Sequence, residues 1–146
     1  MPSQQKPYEY LEHTADAKFR AYGNTLEEVF ENAALAMFNV IIDTSKVSGE
    51  TAREVSLKSP DLESLLVDWL SELLYLFEVD EIIFRKFQVK EIKKEGSEYS
   101  ITARALGENF YPESHPFETE IKAVTYNQLE IEKTADGWKA QVVVDI

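Results

Sequence analysis

The residues best suited to chemistry lie near the two ends of the 146-residue chain. Near the start, His13-Thr14-Ala15-Asp16 separates two strand-like segments and places the Asp16 carboxylate where the chain turns. An aspartate in a turn commonly accepts hydrogen bonds from nearby backbone amides. Taken alone, the motif therefore indicates an ordinary turn as readily as a binding site.

The C-terminal sequence places two negative groups at the end of a strand-forming run. Gln141-Val142-Val143-Val144 is followed by Asp145 and then by Ile146 with its α-carboxylate. Like charges held together are unfavourable unless a cation or a basic group neutralises them. Oxygen ligands suit hard cations, so the pattern favours a divalent metal ion such as calcium, magnesium or manganese over a softer one.

Lys122 is the third candidate, and for this residue a structural role and a functional role are both open. Strand alternation places it on one face with Glu120 and Val124, opposite Ile121 and Ala123. Neither face is uniformly polar. The pattern therefore does not decide whether Lys122 is exposed or functional.

Several kinds of catalytic site are excluded or disfavoured by residue type. The chain has no cysteine and only two histidines, which excludes thiol nucleophiles, thiolate metal sites and a multi-histidine zinc site within one chain. Its five glycines form no phosphate-binding loop. Ser114 and His115 are adjacent in a loop-like segment, without the strand–turn–helix setting of a nucleophile elbow. No carboxylate spacing supports glycoside cleavage. We expect no independent enzymatic activity.

The charge balance also limits the partners. Fifteen basic and 27 acidic residues give a net charge of −12. Such a surface disfavours strong direct binding to nucleic acid, and it suits a metal cation or a basic partner protein, or simply solubility. The N-terminus lacks the apolar segment of a signal peptide, and no apolar run approaches the roughly 20 residues that span a bilayer. We expect a cytoplasmic protein that does not enter membranes.

Two helices are predicted to support these residues. The first should span residues 26–42, with Thr25 as its cap and Glu28 reaching back to the Thr25 amide in a capping box. The second should begin at Ser59-Pro60, with proline in the first turn. Its apolar residues recur at helical spacing and indicate core packing: Leu62, Leu65, Leu66, Trp69, Leu70, Leu73, Leu74 and Phe77.

Strands are predicted in most of the remaining sequence. The first segments are residues 8–11, 17–22 and 53–58. Residues 87–93 and 99–105 form one predicted hairpin around Glu95-Gly96, residues 107–117 a loop, and residues 118–132 and 138–146 a second hairpin around Asp136-Gly137. Two helices on a mostly antiparallel or mixed β-sheet make an α+β fold. We expect a flexible segment at 1–7 and one domain at 8–146.

Together, these motifs resemble the archease family over residues 8–146. The resemblance rests on Tyr8-Glu9-Tyr10-Leu11-Glu12-His13-Thr14-Ala15-Asp16, Gly23-Asn24-Thr25-Leu26-Glu27-Glu28, Ser114-His115-Pro116, Ile121-Lys122-Ala123-Val124-Thr125-Tyr126 and the terminal Asp145-Ile146. The opening block and the Asp-Ile ending are specific only in combination.

The resemblance implies an activator of the RtcB-type RNA ligase that joins tRNA halves after intron removal. Family members are described as promoting guanylylation of the ligase and its multiple turnover, and as chaperone-like modulators of tRNA methyltransferases. By position, a metal site would use Asp16, Asp145 and the terminal carboxylate of Ile146. Lys122 matches a functionally important lysine that would contact nucleotide or partner. His13 is the other candidate for such a contact, and ordering the Asp16 turn is a more economical role for it than metal ligation.

The chain departs from this pattern at Asn127, where many relatives carry histidine. An amide there can form hydrogen bonds but cannot titrate. Two other functions stay open at this point. One is a metal-independent chaperone of a tRNA methyltransferase, and the other is a small metal-dependent hydrolase.

Overall fold

The computed structural model describes residues 6–11, 16–115 and 118–146. It contains two α-helices and eight strands within these residues, arranged in two antiparallel sheets. The α+β fold and single domain expected from the sequence are confirmed. Of the segment predicted to be flexible, only residues 6 and 7 are described, and the Pro7 carbonyl accepts a hydrogen bond from the Tyr22 amide at 2.9 Å.

Helix α1 spans Leu26–Ile41 and begins as a capping box. The Thr25 hydroxyl oxygen accepts a hydrogen bond from the Glu28 amide at 3.1 Å. The Glu28 carboxylate reaches back to the amide of Asn24 at 2.9 Å, one residue before the predicted partner. The capping box therefore forms, with the bond from the Glu28 side chain displaced by one residue to Asn24.

Helix α2 spans Leu62–Asp80 and is capped by Asp61, whose carboxylate accepts from the Ser64 amide at 2.7 Å. The prediction that Pro60 lies in the first turn is wrong, because the preceding strand continues through Ser59 and the cap follows Pro60. The Trp69 side chain is fully buried, and its indole N–H donates to the Phe30 carbonyl of α1 at 3.0 Å.

The larger sheet, sheet A, brings both ends of the chain together. It consists of β1 (Tyr8–Leu11), β2 (Asp16–Gly23), β6 (Ala123–Val124), β7 (Glu130–Thr134) and β8 (Gly137–Asp145). Strand β8 lies in the centre and pairs with β2 on one side and with both β6 and β7 on the other, while β1 pairs with the far side of β2. The predicted hairpin over 118–146 is therefore interrupted. Residues 118–122 and 125–129 lie outside its strands.

Sheet B is a three-stranded sheet of β3 (Thr51–Ser59), β4 (Ile82–Glu95) and β5 (Glu98–Asn109), ordered β3-β5-β4. Its hairpin is longer than predicted, and residues 107–109 belong to β5 instead of a loop. Gly107 explains the extension, since a Cβ there would meet the Ile83 carbonyl oxygen at 1.9 Å. Only glycine lets the two backbones approach so closely beside the register shift between Phe84 and Lys86.

The hydrophobic core surrounds the helices. Helix α1 contacts β2 and β8 of sheet A and β4 of sheet B, while α2 contacts β3, β4 and β5 as well as β6 and β7. Both helices therefore share one core with both sheets. Phe19, Ala140, Val142 and Val144 line that core from sheet A. The alternate residues of β2 and β8 consequently face outward from the core, and Asp16 and Asp145 are among them.

Candidate functional site

Asp16 and Asp145 lie directly opposite each other in the antiparallel pair of β2 and β8. Directly paired residues project from the same face of a sheet, with Cβ atoms about 4.5–5.5 Å apart. The next pair, Ala17 and Val144, turns toward the core. Both aspartates are partly buried. Two carboxylates thus share one patch at the end of sheet A, on the face away from the helices.

The third strand at this end is β6. Ala123 is the register partner of Asp145 on the side opposite Asp16, and the Lys122 amide donates to the Asp145 carbonyl at 2.8 Å. Ala123 shares the face of the two carboxylates and adds no polar group beside them. The Lys122 side chain is exposed, and it makes no ion pair with the described part of the chain.

Ile146 follows Asp145 directly and is 42% exposed. The structure therefore brings Asp16, Asp145, Ile146 and the Lys122 backbone together at one end of sheet A. His13 lies outside the described residues, so its place relative to Asp16 stays a prediction. Across residues 6–11, 16–115 and 118–146, no three histidine, aspartate or glutamate side chains converge as a metal site.

The donor chemistry at this position suits a hard cation. Asp16 and Asp145 supply carboxylate oxygens from two strands whose backbones are fixed by the sheet. Like charges directly opposite each other in a sheet destabilise it unless a cation compensates them. Asp16, Asp145 and, as a terminal carboxylate, Ile146 are the residues that could hold calcium, magnesium or manganese. Two side chains alone would leave such an ion short of protein ligands.

A protruding segment beside the site was not recognised in the sequence. Between the pairs Val124–Val144 and Glu130–Gln141, five residues (125–129) lie opposite only two residues of β8 (142 and 143). We call residues 125–129 the β6–β7 protrusion. Gln128 has a positive φ of 53° within it, which is uncommon for a residue other than glycine or asparagine. No glycine marks this position, so the turn could not be predicted from the residue types.

A histidine–carboxylate contact lies in the loop after β5. The His115 side chain is buried. Its Nε2 lies 3.2 Å from Glu108 Oε2, and its Nδ1 lies 3.0 Å from the Tyr111 amide nitrogen. Glu108 Oε2 also accepts from the Ser48 amide at 2.8 Å. These hydrogen bonds, that of Ser48 first, lower the pKa of the Glu108 carboxyl below its ordinary value. Both partners are held by backbone groups, which indicates a structural role.

None of the helices in the described part of the chain has the length and apolar character needed to cross a membrane.

Comparison with known proteins identifies the family to which this chain is similar. A model of the archease protein family matches residues 8–146. The protein archease of Methanosarcina acetivorans is 85% identical over 146 residues, which covers 100% of both chains. That of Pyrococcus abyssi is 46% identical over 142 residues, covering 97% of this chain and 99% of its own.

Solved structures are similar as well. The solution structure of Methanobacterium thermoautotrophicum protein 1598 has a TM-score of 0.84 at 44% identity, covering 97% of this chain and 100% of that one. A crystal structure from Thermotoga maritima, described as an archease and possible chaperone, has a TM-score of 0.54 at 27% identity, with 100% of each chain covered. The chain therefore belongs to the archease family.

Proposed function

We propose that this protein activates an RtcB-type RNA ligase through a divalent cation bound at the end of sheet A. The ligands would be Asp16, Asp145 and the terminal carboxylate of Ile146. The observation that carries the proposal is the direct cross-strand pairing of Asp16 with Asp145. Two carboxylates held side by side by the sheet offer the charged oxygen ligands that a hard divalent cation prefers.

Each residue at the site would have a distinct task. Asp16 and Asp145 would fix the cation relative to the sheet, because their strands are hydrogen-bonded along their length. When bound, the cation would supply a positive charge for phosphate or carboxylate oxygens of the ligase–nucleotide complex. Lys122 would add a mobile cationic group beside it. His13 would order the turn that leads into Asp16.

The direct test measures guanylylation of the ligase. Purified ligase is mixed with GTP, a divalent metal and a substoichiometric amount of this protein, and the covalent guanylate adduct is quantified. We expect the adduct to rise above the level reached by ligase alone, and Asp145→Asn to abolish the rise. Glu130→Gln, which removes an exposed carboxylate of β7 from the same sheet, is the matched control and should activate fully. No rise with the unmodified protein would overturn the proposal.

A separate observation supports a second function, that of a chaperone. The Thermotoga maritima relative is described as a possible chaperone, and the net charge of −12 would suit a basic client such as a tRNA methyltransferase. A chaperone that acts through surface charge needs no metal. Asp16→Ala separates the two functions, because it would abolish ligase activation but preserve protection of a methyltransferase from aggregation.

A further inference from the structure

The β6–β7 protrusion is built as a rigid turn. The Leu129 amide donates to the Tyr126 carbonyl at 3.3 Å, which closes a four-residue turn. The Asn127 amide donates to the Thr125 hydroxyl oxygen at 3.2 Å, and that hydroxyl donates to the Val143 carbonyl at 2.8 Å. The turn is therefore hydrogen-bonded both internally and to the central strand of sheet A.

Gln128 fastens this turn across the outward face of the sheet. Its carbonyl accepts from the Gln141 side-chain amide at 2.8 Å, and its side-chain oxygen accepts from Lys18 Nζ at 2.8 Å. Gln141 is itself oriented by Arg20, whose Nε donates to Gln141 Oε1 at 3.0 Å. Val143 has no exposed surface although its alternation places it on the outward face. The protrusion therefore covers this part of the sheet.

The backbone of Gln128 indicates that this geometry is specified. A left-handed conformation in a residue with a Cβ is unfavourable and persists only where the surroundings hold it in place. Here hydrogen bonds from two different strands do so. Insertions of extra residues into a strand pair are common beside functional sites, where they redirect a side chain.

Tyr126 is the side chain that this turn presents. It is 58% exposed, and its hydroxyl has no hydrogen-bond partner among the residues the structure describes. The chain segment that leads to it pairs with β8 through Ala123 and Asp145, so the tyrosine and the carboxylates are carried by neighbouring strands. Because hydrogen bonds already hold the backbone of the turn, binding would have to order little more than the Tyr126 side chain. Tyrosine is also enriched among the residues that dominate protein–protein affinity.

We propose that the Tyr126 turn is the anchor by which the face containing Asp16 and Asp145 docks on its protein partner. The inference rests on the proposed function, which supplies that partner as an RtcB-type ligase. The occupied surface would be a pocket with apolar walls for the ring and one hydrogen-bonding group for the phenol hydroxyl. Docking there would place Lys122 and the carboxylates against the same partner surface.

The experiment measures binding of the full-length protein to the ligase by calorimetry. Tyr126→Ala should weaken affinity roughly 30-fold, as expected for a dominant interface residue. Tyr126→Phe should weaken it only a few-fold, because the ring remains. Gln128→Gly keeps the positive φ but removes the bond to Lys18, so it should give an intermediate loss. Tyr75→Ala, at a tyrosine of α2 that is 54% exposed, is the matched control and should bind as the unmodified protein does.

The outcomes separate this proposal from the proposed function. Loss of affinity in Tyr126→Ala, with an unchanged unfolding temperature, supports docking through the turn. Normal affinity in Tyr126→Ala, or an equal loss in Tyr75→Ala, overturns it while ligase activation can still stand. Tyr126-dependent binding without any rise in guanylylation overturns the activator function and leaves the docking surface in place. If the unmodified protein neither binds nor activates the ligase, both are overturned.

Discussion

Asp16 and Asp145 are direct cross-strand neighbours although they lie near opposite ends of the sequence. Their strands are fixed by hydrogen bonds, and no relaxation of the sheet can separate the two backbones without breaking the pair. Ala123 flanks Asp145 on its other side and adds no compensating charge. Removing one of the two like charges would lower their mutual repulsion, whereas a bound cation would need both carboxylates, so on the proposed function the stability of the protein would depend on ligand binding.

The first prediction compares the stability of Asp145→Asn with that of the unmodified protein, first without metal and then with metal, because the difference should change sign. In the presence of a chelator, Asp145→Asn should be as stable as the unmodified protein or more stable by about 0.2–1 kcal/mol, because a like-charge pair is removed. With metal at about 100 times its dissociation constant, the unmodified protein should gain about 2.7 kcal/mol and the variant much less. Urea unfolding with chelator and then with calcium, magnesium or manganese measures both effects.

The control for this prediction is Glu130→Gln, which should respond to metal as the unmodified protein does. An equal metal-dependent gain in Asp145→Asn would show that Asp145 is not a ligand.

A second prediction concerns the pH dependence contributed by Glu108. Its pKa is lowered in the folded protein by the Ser48 amide and by His115. Because the pKa of Glu108 is lower in the folded protein than the unfolded value near 4.5, its ionised carboxylate stabilises the folded state fully at pH values above 4.5. This contribution is lost as the pH falls through the folded pKa. Glu108→Gln should therefore be less stable than the unmodified protein at pH 7, with a smaller difference below pH 4.

Urea unfolding across this pH range measures the Glu108 contribution. Glu98→Gln, at the exposed end of the β4–β5 hairpin, serves as the comparison and should change stability little at either pH. A Glu108→Gln penalty of the same size at pH 7 and well below pH 4 would contradict the assignment to the charged carboxylate.

A third prediction concerns the buried indole between the helices. Trp69→Phe removes the only side-chain donor that Trp69 offers to the Phe30 carbonyl, and it leaves a void beside Phe87, whose ring packs edge-on against Trp69. The cost should be on the order of 2–4 kcal/mol, combining a lost buried hydrogen bond with a cavity. Thermal unfolding checks this. Tyr75→Phe on the exposed face of α2 should be neutral.

A fourth prediction tests the close backbone approach at Gly107. Gly107→Ala would place a Cβ 1.9 Å from the Ile83 carbonyl oxygen, so β4 must shift or the register beside Phe84 must change. We expect a loss of about 1–3 kcal/mol, as for other overpacked positions. At Gly49 an added Cβ would meet only Leu106 Cβ at 3.7 Å, so Gly49→Ala is the control. Equal unfolding free energies for the two variants would contradict this account.

The elements that could be predicted from the sequence are those specified by local chemistry. The spacing of apolar residues identified both helices, and Thr25 identified the start of α1 because a hydroxyl at a helix start binds a free amide. Asp136-Gly137 correctly indicated the turn before β8, where Gly137 has a φ of 153° and a Cβ would meet the Gly23 carbonyl oxygen at 2.2 Å.

The features that could not be predicted depend on distant pairing. No local pattern in residues 16–23 shows that β8 will pair with them, and the expectation that Asp16 and Asp145 share a site came from the family resemblance. Glutamine is not a residue type that favours a positive φ. At Gln128 this conformation is held instead by hydrogen bonds from Lys18 and Gln141, which are distant in the sequence. Pro60 suggested a helix start, but Asp61 proved the better cap since its carboxylate reaches the Ser64 amide.

The last prediction concerns the carboxylate of Ile146. Adding residues beyond Ile146 converts its carboxylate into a neutral peptide carbonyl and preserves the pairing of Asp145 with Asp16 and Ala123. If the terminal group is a ligand, the extended protein should bind calcium, magnesium or manganese more weakly by calorimetry, because a hard cation loses a charged oxygen. Its stability in chelator should not fall, since β8 is unchanged. A tag at the N-terminus of the same length is the control. Unchanged metal affinity in the extended protein, alongside loss of binding in Asp145→Asn, would restrict the site to the two aspartates and require another donor.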